Sequence, residues 1–249
     1  RLSNKKEEFR FKRFNVAGHL NADSSDINLN SDALTLAYRT NVPVDSLLPR
    51  MQEKFTDYFR AATAFHPAPG QYMDLAVTLP NSDWLTGLVV PGLHRVTLKK
   101  FAGHYDSDAD ELKLDIDIPE LNFDSVEVTD LAVNVNAKGN SLSAKVEVQR
   151  VTYDSLSIDG LSLTSRSKPG ALESTLRVQK GDDPPSYQVP VRTTQEGHGT
   201  TLHVVPEGLV LDKEEWTADP RNLLRFAAAG GVQAEHFDLH SKVQHVQMV

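Results

Sequence analysis

Apolar residues recur along this chain in steps of two, and the pattern returns every 30 residues. Val126 and Val128 are followed by a change of parity, after which Leu131 and Val133 continue the alternation. Thirty residues later the same places hold Leu156, Ile158, Leu161 and Leu163; thirty residues earlier they hold Val96, Leu98 and Phe101, with Gly103 in the fourth place. The other half of each unit repeats as well. Leu112, Leu114, Ile116 and Ile118 align with Leu142, Ala144, Val146 and Val148, and then with Leu172, Ser174, Leu176 and Val178. Steps of two predict strands with one apolar face. A fixed period of this size predicts stacked repeats.

The parity changes at Lys99-Lys100, Thr129-Asp130 and Asp159-Gly160 fall at equivalent places and predict a β-bulge or tight corner in each unit. Polar turns at Asp106–Asp110, Ala137–Asn140 and Arg166–Gly170 separate the two strands of each unit. A fourth copy is expected at Val232 and Ala234, changing parity before Phe237 and Leu239. Between the third and fourth copies lies a divergent unit, where a Leu209/Leu211 strand meets an acidic turn and Trp216. Ahead of the repeats, Phe9 to Tyr38 reads as short strands. Asp45 to Ala64 reads as an amphipathic helix, with Leu47, Leu48, Met51, Phe55, Tyr58, Phe59 and Ala62 on one side and mixed charges on the other. Its mixed polar face favours packing on the sheet over lying on a membrane. The expected organisation is short strands of the same groove over 1–44, a helix and loop insertion over 45–70, and a repeating β-groove domain over 71–249.

The net charge of −8 argues against a nucleic-acid surface, since no Lys/Arg cluster interleaves with aromatics. The basic run Lys5, Lys6, Arg10, Lys12 and Arg13 reads as a solvated terminus or strand edge. The chain has no cysteine, which excludes disulfides and thiol catalysis and fits the cytosol or an oxidising envelope compartment. No apolar stretch approaches the roughly 18 residues of a membrane span. The start at Arg1 and the end after Val243–Val249 suggest a segment of a longer protein.

Candidate chemistry is sparse. Asp106-Ser107-Asp108-Ala109-Asp110 has the opening of a calcium loop, but Glu111 and Asp117 stand where an EF-hand needs Gly and Glu. His236 and His240 have the spacing of helical zinc ligands, yet they lie in a strand pattern. No nucleophile elbow or phosphate loop is present. Asp115, Asp117, Glu127 and Glu147 occupy outward strand positions, and Trp84 and Trp216 read as seals of a core or a groove rim. No enzyme, cofactor or metal is expected.

The apolar face is therefore the candidate site. It is either the core of a closed sandwich or an open groove that binds apolar ligands. Equivalent repeats that present the same face, lined by small aliphatic groups, favour the groove.

Leu88-Val89-Val90-Pro91-Gly92-Leu93, the repeats through Asp124-Ser125-Val126 and Asp154-Ser155-Leu156, and Leu209-Val210-Leu211-Asp212 with Trp216, Asn222, Leu224 and Phe226 resemble the TamB family of AsmA-like envelope proteins. The resemblance covers about residues 72–249; the 45–64 helix has no common counterpart there. It implies a mainly β fold, a repetitive curved antiparallel sheet forming a β-taco with an open hydrophobic groove. It implies a periplasmic location, with the parent protein anchored in the inner membrane through regions outside this segment. Phospholipid acyl chains and an outer-membrane β-barrel protein are the implied partners, with phospholipid transfer as the function and assembly of outer-membrane proteins as the alternative. The expected lining is the repeat set above together with Leu209, Leu211, Trp216, Phe237 and Leu239.

Overall fold

The computed structural model describes residues 2–3, 8–21, 23–43, 58, 68–80, 82, 84–85, 90, 92–196, 199–226 and 230–247. The expected 45–64 helix lies outside the described residues, apart from Tyr58.

The fold is mainly β and antiparallel. A two-stranded sheet of β1 (Leu2–Ser3) and β2 (Glu8–Phe9) precedes the main sheet. The main sheet opens with β3 (Phe14–Leu20), β4 (Ser25–Ser31), β5 (Thr35–Thr40) and β6 (Tyr72–Leu79). The repeats follow as β7 (Leu93–Asp106), β8 (Glu111–Phe123), β9 (Val126–Lys138), β10 (Ser141–Tyr153), β11 (Leu156–Lys168) and β12 (Ala171–Val178). Then come β13 (Tyr187–Glu196), β14 (Gly199–Val204), β15 (Val210–Leu211), β16 (Glu214–Glu215), β17 (Thr217–Ala218), β18 (Leu223–Phe226), β19 (Val232–Glu235), β20 (Asp238–His240) and β21 (His245–Gln247). Strands β3 to β14 pair in chain order, followed by β18 and β19, with β15 and β16 branching from β13 to make 16 strands. The order ends at β3 and β19, so the sheet does not close into a barrel. Strands β17, β20 and β21 form a separate sheet.

The 30-residue period is visible in the backbone. Asp124-Ser125 and Asp154-Ser155 are two-residue turns whose aspartates take left-handed conformations, φ 49° and 50°. Aspartate tolerates this region because its short carboxylate bonds locally. Pro169-Gly170 supplies the other kind of turn, the proline fixing φ and the glycine accepting φ 70°.

The parity changes have two physical forms. At Lys99-Lys100 the register slips: Val77 faces Phe101 but Leu79 faces Leu98, so β7 carries one extra residue against β6. At Asp130 the β8–β9 register does not slip, because Ile118 faces Leu131 and Glu120 faces Thr129. Instead Pro119 and Asp130 share a rung, Asp130 has φ 49°, and the apolar alternation changes parity on both strands there. Gly160, thirty residues on, has φ 68°.

The expected fourth copy is corrected by the structure. Val232 and Ala234 lie on β19, but His236, at φ 49°, turns the chain out of the main sheet. Phe237 and Leu239 then follow into the small sheet, where β20 pairs with β17. The stretch is divided between two sheets: β19 ends at Glu235, paired with β18, and β20 begins at Asp238, paired with β17.

Two compact units divide the chain. One contains Pro67–Gly139, the strands before it, and Val146–Asp159; the other contains Asn140–Lys145 and Gly160–Val249.

Candidate functional site

In the first unit, cross-strand pairing collects the apolar residues into lanes perpendicular to the strands. Val16, Leu29, Leu36, Val77, Phe101, Ile116 and Val133 face one another in succession. Beside them run Gly18, Ile27, Tyr38, Leu75, Gly103, Leu114 and Val135. Ile118 faces Leu131 just before the parity change; beyond it Val96 faces Leu121, Leu121 faces Val128, and Val126 faces Phe123. The sequence pattern thus placed Val96, Leu98, Phe101, Leu112, Leu114, Ile116, Ile118, Val126, Val128, Leu131 and Val133 on connected rungs. The lanes continue through β4, β5 and β6, whose members alternate too and are joined to the repeats by register.

Burial along these lanes is graded. At the turn end Thr40, Met73, Tyr105, Leu112 and Ala137 are fully buried. In mid-strand Leu114, Ile116, Ile118, Val128, Leu131 and Val133 are only half-buried. A closed sandwich core would remove nearly all their surface. Gly103 leaves a gap in its lane, and the Met73 side chain lies 3.6 Å from where a Cβ would stand.

In the second unit, Leu161 faces Val178 and Leu163 faces Leu176, while Tyr187 follows Val178 and Val189 follows Leu176. Leu163 and Leu176 keep 37% and 41% of their surface, so this part of the face is also open to solvent. Leu142 is fully buried, and Leu172 is half-buried. Of the remaining expected residues, Val148 is buried, Val146 and Ile158 are half-buried, and Leu156 is 59% exposed.

Leu209, Trp216, Phe237 and Leu239 have a different setting. They form one buried cluster with Val204 and Ala218, and Leu211, Val189, Leu202, Leu224 and Ala234 pack against it. Here the apolar face is covered by the chain's own later segments. Asn222 fixes the cover: its side-chain oxygen accepts from Val204 N–H at 2.7 Å, and its side-chain nitrogen donates to the Val204 carbonyl at 2.8 Å. The type of turn at Asp212-Lys213, with φ 53° and 66°, matches the twist of the β15–β16 hairpin.

The opposite face of the first unit is polar and internally paired. His19, Asp26, Arg39, Asp74, His104 and Lys113 face one another on successive strands. Arg39 meets Asp26 at 3.2 Å and His104 Nδ1 meets Asp74 at 2.7 Å. Lys113 bonds Glu111 at 2.7 Å and thereby holds that carboxyl below the usual carboxylate range. Asp115 and Asp117, outward as expected, pair with Lys100 and Lys99. Two shallow hollows lie on this face, floored by Ala37, Ala76 and Ala102. Charged, amide and hydroxyl side chains, among them Arg39, Asp74, Asn28 and Thr35, stand around these alanines.

The other candidates resolve into local structure. Asp106 accepts from the N–H groups of Asp108 and Ala109 at 2.9 Å, and Asp108 accepts from Gly70 at 2.7 Å; these are turn-forming carboxylates. His240 Nε2 meets Thr217 Oγ1 at 2.7 Å, and His245 meets Asp238 at 2.9 Å. Among the described residues no group of three or more His, Asp or Glu is placed to hold a metal. Among them no helix is long and apolar enough to cross a membrane. No family model, no curated protein and no solved structure matches this chain.

Proposed function

We propose that this chain is a segment of a periplasmic bridge-like protein, and that its apolar face carries phospholipid acyl chains between the inner and outer membranes. The observation that supports this most directly is the half-buried state of the aliphatic lanes. A lane offers an apolar group about every 4.8 Å across the strands. A bound acyl chain gains about 0.8 kcal/mol for each methylene it removes from water. Because successive units present equivalent groups, neighbouring positions bind with similar energy and no deep trap halts movement. The membrane anchor and an outer-membrane β-barrel partner belong to the parent protein outside this segment.

Gentle purification followed by lipid extraction and mass spectrometry tests the reading. Phospholipid that co-purifies with the parent chain and is lost in Val128→Asp supports it. A lipid-free protein that also fails to take up labelled phospholipid from vesicles refutes it.

A second reading, a scaffold for outer-membrane barrel assembly, is favoured by the side of β19 that pairs with no strand among the described residues, where Val232 is 60% exposed. A client strand would add there by main-chain pairing. On this reading Ala234→Pro harms assembly of outer-membrane proteins more than Val128→Asp does.

A further inference from the structure

At the other end of the sheet, β3 is paired with β4 on one side and with no strand among the described residues on the other. All seven of its residues are exposed. Phe14, Val16 and Leu20 keep 57%, 51% and 68% of their surface; Val16 continues an apolar lane opposite Leu29, while Phe14 and Leu20 face Ser31 and Ser25. Edge strands are normally guarded by a charge, a proline or a bulge. Strand β3, Phe-Asn-Val-Ala-Gly-His-Leu, contains no charged residue and no proline, and its register with β4 is unbroken.

The strand is also self-complementary. If two copies run antiparallel with Ala17 opposite Ala17, Phe14 meets Leu20, Val16 meets Gly18, and Asn15 meets His19. Every apolar position then faces an apolar position or glycine, and every polar one a polar one. The same register sets Arg13 opposite Asn21 of the second copy, two residues from the exposed Asp23. The cations flanking one strand therefore approach an anion of the other instead of each other.

We propose that β3 is a homotypic edge, through which a second copy of this chain pairs antiparallel about Ala17. The two-fold axis lies perpendicular to the sheet, so the apolar faces of the two copies lie on the same side and their lanes adjoin. A seven-residue edge buries less than the roughly 1,000 Å² of a stable interface. The dimer is therefore reversible and depends on concentration.

The absence of cysteine makes the register directly testable. Paired Cα atoms across an antiparallel rung lie about 4.5–5.5 Å apart, within the span of a disulfide. Under mild diamide oxidation, Ala17→Cys should form a covalent dimer. Asn15→Cys and His19→Cys should each stay monomeric alone, because their own copies lie about 13 Å apart, and should cross-link when mixed. Ala17→Lys sets like charges face to face, so sedimentation should show dimerisation weakened about fivefold with an unchanged thermal melt. A wild-type chain that remains monomeric at millimolar concentration overturns the proposal. So does equal self-linking of Asn15→Cys, or adsorption to phosphatidylglycerol vesicles without any self-association.

Discussion

Gly160 and Gln179 meet backbone to backbone: Gln179 N–H donates to the Gly160 carbonyl at 3.0 Å, and a Cβ on Gly160 would stand 1.7 Å from the Gln179 carbonyl oxygen. With φ at 68°, the position excludes a side chain twice over, by conformation and by collision. Gly160→Ala should destabilise the chain by about 2–4 kcal/mol, combining left-handed strain with backbone displacement. Its repeat counterpart Asp130 already carries a side chain at φ 49°, so Asp130→Gly should change stability by less than about 1 kcal/mol. Denaturant titration of the two variants checks the contrast; equal effects would refute the distinction.

Asn222 substitutes for a neighbouring strand at Val204. Asn222→Ala leaves the Val204 N–H and carbonyl without their side-chain partner in a buried place, at a cost of about 2–5 kcal/mol. Asn222→Asp should be no better, since a carboxylate cannot donate to the Val204 carbonyl. A melting temperature within a degree of the wild type would contradict this role.

The Arg221 guanidinium and backbone N–H bond the Asp219 carboxylate and hold its pKa at about 2, below the ordinary 3.8. A depressed carboxyl pKa stabilises the fold above the unfolded value and loses that contribution as pH falls through the folded one. The sensitive window is therefore about pH 4 down to pH 2. Arg221→Gln should raise the Asp219 pKa, as read by carbon-detected NMR titration, and flatten the acid dependence of stability in that window.

Trp216 is buried, and no hydrogen-bond partner among the described residues accepts from its Nε1. Trp216→Phe removes an unsatisfied donor while keeping an aromatic ring, so stability should change by less than about 1.5 kcal/mol. Trp216→Ala, which empties the cluster with Leu209 and Phe237, should cost about 3–5 kcal/mol. Thermal unfolding of both variants separates packing from hydrogen bonding.

Val128 is half-buried and Glu127, its neighbour, is exposed on the other side of β9. Val128→Asp and, on β10, Val146→Arg should abolish lipid retention, whereas Glu127→Lys should retain it. All three should remain folded by circular dichroism. Equal lipid content in all three would remove the physical basis of the proposed slide.

Strands and turns were legible because side-chain alternation and turn residues are local properties. Asp124, Asp154 and Gly170 mark their turns in the sequence itself, and the changes of parity located Asp130 and Gly160. The fate of the Val232–Leu239 stretch was not legible, since an alternation with one parity change describes both a bent strand and a strand that leaves its sheet. Only the strand with which each half pairs decides between them, β18 for Val232–Glu235 and β17 for Leu239. Leu209, Trp216, Phe237 and Leu239 share the hydrophobicity of the lane residues, and what distinguishes them is a cover held by Asn222, a long-range contact with no periodic signature. The polar ladder from His19 to Lys113 likewise depends on register between strands far apart in the chain.

The 30-residue unit also acts as a graduation mark. Strands β9, β10 and β11 are 13 residues each and are joined by two-residue turns, so copying one unit adds two strands and preserves every rung. Each copy widens the sheet by about 10 Å, while a single inserted residue within a strand would invert its faces. A lineage can therefore adjust the width of the sheet by tandem duplication, in whole increments, with no redesign of the surface it carries.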